Sequence, residues 1–139
     1  MATKNYIIKL QEDASNLRMV NTITIWCAIA KLIDELGVSY IEGGWPGASP
    51  KEEEFFETAK NELKLKNAKL VSFGSTRKLN TKVEEDSQVA ALINSGTDYV
   101  CVVGKTSKLH ITKALQTDVD SAIDMAVDTI LYLKSKGKK

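Results

Sequence analysis

The residues best suited to chemistry sit where predicted strands give way to polar or glycine-rich turns. Glu42 ends the short apolar run Tyr40-Ile41 and is followed by Gly43-Gly44-Trp45-Pro46-Gly47. A carboxylate delivered by a strand into such a turn can support a metal or substrate site; it can equally accept hydrogen bonds from the turn's own amides. Arg77, in Gly74-Ser75-Thr76-Arg77-Lys78, has the fork geometry that clamps a carboxylate or phosphate, or is a solvated loop cation. His110, the only histidine, is read as a loop residue, either on a site's rim or simply on the surface. Glu52, Glu53 and Glu54 form no metal cluster in this reading. Consecutive helical residues point in different directions, and carboxylates in a first turn meet the positive end of the helix dipole.

Four strand–helix units are needed to position these side chains. Strands are expected at 6–10, 39–42, 69–73 and 98–103, each a short apolar run. Helix 1 is expected at 22–36, with Ile25, Ile29, Ile33 and Leu36 inward and Gly37 as its stop. Helix 2 spans 50–63, with Ser49 as N-cap, Pro50 at the first position, and Phe55, Ala59 and Leu63 inward. Helix 3 covers 87–94 through Val89, Leu92 and Ile93. Helix 4 covers 118–135, with Val119, Ile123, Val127 and Ile130 at helical spacing, and 104–110 is read as loop. Strand 4 is apolar nearly throughout, as befits a parallel strand covered on both faces. Alternation of strands and helices predicts an α/β fold with right-handed parallel crossovers. Nearly all the unusual polar and glycine residues fall in the strand-to-helix loops, the end of such sheets at which ligands bind.

The chain has 139 residues and a formal net charge of +1, one domain's worth with no polyanion-binding signature; Lys134, Lys136, Lys138 and Lys139 read as a solvated helix end, not a nucleic-acid site. No apolar run reaches the roughly 20 residues that span a bilayer, and the start lacks a signal-peptide layout. Cys27 and Cys101 are far apart in sequence and are expected to be two buried free thiols of a cytoplasmic protein.

Three stretches, ELGVSYIEGGWPGASPKEEEFF (35–56), LVSFGSTRK (70–78) and VVGKTSKLHITKAL (102–115), resemble, in order, the (R)-citramalate synthase branch of the metal-dependent TIM-barrel family that includes 2-isopropylmalate synthase and the 3-hydroxy-3-methylglutaryl-CoA lyases. The resemblance implies a (βα)4 half of a (β/α)8 barrel, residues 1–139 forming one partial domain. A full barrel needs about 250 residues. It also implies an acyltransferase of leucine and isoleucine biosynthesis, condensing acetyl-CoA with pyruvate or another short 2-oxo acid on a divalent cation (Mg or Mn, with Zn a further candidate). In that family Leu-Arg-Asp-Gly ends strand 1, the Arg stabilising developing negative charge and the Asp binding metal. A gapless alignment sets Leu10-Gln11-Glu12-Asp13 there. Gln11 then stands at the Arg position and Glu12 at the metal position, or Asp13 takes the metal role if the alignment slips by one.

Glu42 falls on the family's strand-2 carboxylate, and Arg77 and His110 on its substrate-side loops. The family's paired metal-binding histidines belong to a later strand. The resemblance therefore implies a chain inactive alone, binding no cation stably, that forms a homo-oligomer or joins a chain supplying the other half barrel. The alternative is a non-catalytic α/β module that self-associates through open sheet edges.

Overall fold

The computed structural model describes residues 7–9 and 22–139; side chains are described from Ile23 onward. Four strands form one parallel sheet in the order β1-β2-β3-β4: β1 (Ile7–Lys9), β2 (Tyr40–Glu42), β3 (Lys69–Ser75) and β4 (Tyr99–Val103). Between them lie α1 (Thr22–Glu35), α2 (Pro50–Glu62) and α3 (Ser87–Asn94). A short α4 (Lys108–Lys113) and a long α5 (Val119–Ser135) follow β4. This is the expected mixed α/β architecture of a partial TIM-type barrel, with sequential strands adjacent and helices layered on one face.

Local chemistry explains the boundaries. Gly37 ends α1 at φ +75°, where a side chain would be strained. Asp86 caps α3 by accepting the N–H groups of Gln88 (2.9 Å) and Val89 (3.1 Å). It also takes the N–H of Lys78 (2.8 Å), so one buried carboxylate fixes both the helix start and the loop after β3. Ser49 is the N-cap of α2, with Pro50 beginning the helix, but its hydroxyl is directed to the Glu52 carboxylate instead of a backbone amide.

The core lies between sheet and helices. Ile23, Cys27, Phe55, Phe56 and Ala59 pack together with Trp26, Leu63 and Leu70 around them. Trp26 meets Phe55 edge-on at 5.5 Å, and Phe55 meets Phe56 at 5.2 Å. Under the other end of the sheet, Val89, Leu92 and Leu133 join Val100 and Val102.

The helix faces correct the sequence reading at both ends of the layer. On α1 the buried side is Ile23, Cys27, Ala30 and Asp34; of the residues expected inward, Ile33 packs against Val38, Ile41 and Ala68, while Ile29 and Leu36 are exposed. On α5 it is Met125, Thr129 and Leu133, while Val119, Ile123, Val127 and Ile130 are exposed. Both helices carry two apolar stripes, and periodicity alone cannot say which one meets the sheet. The inner helices follow expectation, with Phe55, Ala59, Val89 and Leu92 buried. β4 is covered on one face only: Val100 and Val102 pack on helices, whereas Cys101 and Val103 are exposed. Cys101 is therefore an exposed thiol outside any disulfide, not a buried one. Cys27 is buried as expected; burial pushes its thiol pKa up, Lys31 opposes and Glu62 adds to the rise.

Candidate active-site rim

Alternation along parallel strands divides the sheet into two faces. Ile41, Leu70, Val100 and Val102 face the helices, as do Ser72, bonded to Thr97 (2.9 Å), and Gly74, against Leu92. The alternate residues face the other way. They run in register across the sheet: Glu42 beside Val71 and Val71 beside Tyr99, then Phe73 beside Cys101, then Ser75 beside Val103. The Tyr40 and Tyr99 rings meet at 5.4 Å. Glu42 thus stands on this inner face at the carboxyl end of β2, only 7% exposed.

The glycine turn after Glu42 is stitched to β3. Gly43 donates to the Val71 carbonyl (2.9 Å), and the Gly44 carbonyl accepts from Phe73 N–H (2.8 Å). The Gly43 amide is therefore committed to the sheet, not to Glu42. A Cβ on Gly43 would lie 2.8 Å from Phe55, and Gly44 has φ +114°, so both glycines serve packing and backbone geometry. Trp45 continues the turn and meets Phe73 edge-on at 6.0 Å. Its indole N–H is buried with no acceptor, a polar group held at the rim.

Arg77 is engaged on the outer side. Its guanidinium reaches Asp128 of α5 through Nη2 (2.7 Å) and Nε (2.9 Å). Nη1 donates to the carbonyls of Lys78 and Thr81, and the Arg77 backbone N–H donates to Thr129 Oγ1 (2.9 Å). These contacts tie the loop after β3 to α5; a substrate clamp would have to displace Asp128. His110 lies in α4, not in a loop, and its side chain is exposed. A polar strand-to-helix stretch conceals a helix of six residues, too short for a clear apolar period. Gln11, Glu12 and Asp13 lie outside the described residues.

Among the described residues, no group of three or more His, Cys, Asp or Glu side chains comes together to hold a metal ion. Divalent ions such as Mg require about six mostly oxygen ligands. Of the residues assigned to a cation site or its support, only Glu42 is described. The described residues do not by themselves fit a resident cation. No helix among them is long and apolar enough to cross a membrane.

Comparison with known proteins adds the family. The HMGL-like family model matches residues 13–139. The (R)-citramalate synthase of Aquifex aeolicus (strain VF5) is 44% identical over 136 residues, covering 96% of this chain and 26% of that protein. That of Streptomyces coelicolor is 41% identical over 129 residues, covering 93% and 23%. A probable 2-isopropylmalate synthase of Archaeoglobus fulgidus is 33% identical over 112 residues, covering 80% and 20%. The chain spans about a quarter of the length of the citramalate synthases it matches. A family match over nearly the whole chain, on a parallel sheet with its acidic residue at a strand tip, identifies this chain as a member of the HMGL-like family.

Proposed function

We propose that this chain contributes the first four strand tips of a citramalate-synthase-like acyltransferase site and does not turn over alone. The reaction class is a Claisen condensation of acetyl-CoA with pyruvate or another short 2-oxo acid, followed by thioester hydrolysis. The observation that carries this reading is the buried Glu42 carboxylate on the open inner face, in a chain whose relatives at 38–44% identity are (R)-citramalate synthases. In this reading Glu42 supports the side of the site that binds the 2-oxo acid, with Val71 of β3 beside it in the sheet and Trp45 forming the wall. Glu12 or Asp13, both following β1 in the sequence, supplies the second carboxylate in this reading. A divalent cation, when bound in a completed site, would polarise the keto oxygen.

Gln11 stands where a permanent positive charge is required. A neutral amide stabilises a developing oxyanion less than a guanidinium does. With that helper absent and further strands required for the site, free CoA thiol is not expected when the chain is incubated with acetyl-CoA, pyruvate and Mg2+ or Mn2+. A thiol-reagent assay checks this. Metal-dependent thiol release by the purified chain would overturn the proposal.

A further inference from the structure

The loop after β3 is held by two different helices at consecutive residues. Arg77 N–H donates to Thr129 Oγ1 of α5 (2.9 Å), and Lys78 N–H donates to Asp86 at the start of α3 (2.8 Å). Both acceptors are buried. The Thr129 hydroxyl itself donates to the Met125 carbonyl (2.7 Å). Its single proton therefore stays within α5, and a lone pair is left to accept from the loop. These bonds follow directly on the last contact of β3 with the sheet, where Thr76 N–H donates to the Val103 carbonyl (3.3 Å). Ser75, one residue earlier, stands on the inner face beside Val103.

The Arg77 side chain completes the same joint. Nε and Nη2 both reach Asp128 Oδ2, and Nη1 donates to the carbonyls of Lys78 and Thr81. The loop thus wraps its own cation. A guanidinium has five N–H groups, and four of them are already engaged by the protein. The side chain is only 16% exposed. The fork that could grip a substrate anion is occupied by the fold itself.

We propose that Arg77, Asp128 and Thr129 are positioning residues for the rim. Through them α5 sets where Ser75 and Thr76 lie at the tip of β3, and Arg77 clamps no substrate anion. The inference deepens the acyltransferase reading, in which these strand tips belong to the site. Placement matters there, because a displacement of about 1 Å at a reacting centre can cost about 100-fold in rate. The residue types suit the role. Only a planar guanidinium serves Asp128 and two carbonyls together; lysine keeps the charge and loses the joint. Valine matches the shape of Thr129 but accepts nothing, which leaves the Arg77 amide unpaired.

Amide hydrogen exchange of the full chain, read residue by residue by NMR, tests this. In Asp128→Ala and in Thr129→Val, the Thr76 amide should accelerate at least about tenfold more than amides of α1 and α2, as a local opening requires. A contact that merely stabilised the whole fold would accelerate all of them alike. Arg77→Lys should reproduce Asp128→Ala and add nothing to it in the double variant, because the two act through one contact. Pyruvate or inorganic phosphate should leave the Arg77 Nε–H resonance unmoved; Arg77→Lys identifies that resonance by deleting it. Uniform acceleration, an unchanged Thr76 amide, or a saturable shift of the Arg77 resonance with either anion would overturn the proposal. No turnover is read, so each of these results leaves the acyltransferase reading standing.

Discussion

Phe55→Ala is expected to lower unfolding stability by about 3–5 kcal/mol, the range for removing a large aromatic side chain from a packed core. Phe55 is wholly inaccessible and holds three things at once: the Trp26 ring of α1, the Phe56 ring, and the backbone of Gly43. The Gly43 contact reaches the candidate site, because the turn that Phe55 supports leads directly out of Glu42. Urea unfolding followed by circular dichroism measures the loss. An effect below about 1 kcal/mol would show that the site can collapse around the cavity, and that this cluster does not anchor the turn.

Asp34→Ala is expected to lower stability by about 1–3 kcal/mol, with a distinctive pH signature. The Asp34 carboxylate reaches across from α1 and accepts the backbone N–H groups of Lys66 (2.7 Å), Asn67 (2.9 Å) and Ala68 (2.6 Å), fixing the entry to β3. Burial is the largest influence on its pKa and would raise it. The three backbone donors, Ala68 foremost, and the charge of Lys66 together outweigh burial and hold the pKa below the ordinary carboxylate value. A depressed folded-state pKa gives stability that is fully present above the unfolded value of about 3.9 and is lost as pH falls through the folded value. The gap between parent and variant should therefore be constant from pH 5 to 7 and narrow below about pH 4. A gap that widens on acidification would contradict this assignment.

Much of the fold was legible in the chain because four apolar runs alternate with helical periods, and because Gly37 and Ser49-Pro50 mark helix limits in their residue types. Helix orientation was legible only for α2 and α3, which have one apolar stripe each. α1 and α5 have two, and the choice between them depends on which side the sheet lies, a tertiary fact. Cys101 was misjudged for a related reason. An apolar strand reads as covered on both faces, whereas the inner face of β4 is exposed among the described residues. The place of Glu42 at the end of β2 was legible because a strand running into paired glycines is a local signal. The partners of Arg77 were not, since Asp128 and Thr129 lie more than fifty positions away in the chain. The short α4 around His110 left too few residues for a period.

A chimera gives the most direct test of the proposal that these strand tips belong to a citramalate-synthase-like site. Residues 1–139 would replace the matching quarter of the Aquifex aeolicus (R)-citramalate synthase, which is 44% identical to this chain. Thiol release from acetyl-CoA with pyruvate is then compared before and after introducing Gln11→Arg together with Glu12→Asp. The expected result is a feeble enzyme that gains at least about 100-fold on that double change, the scale of one well-placed oxyanion stabiliser, and loses the gain on Glu42→Gln. A folded chimera that stays inactive after the double change, or whose recovered activity is indifferent to Glu42→Gln, would contradict it.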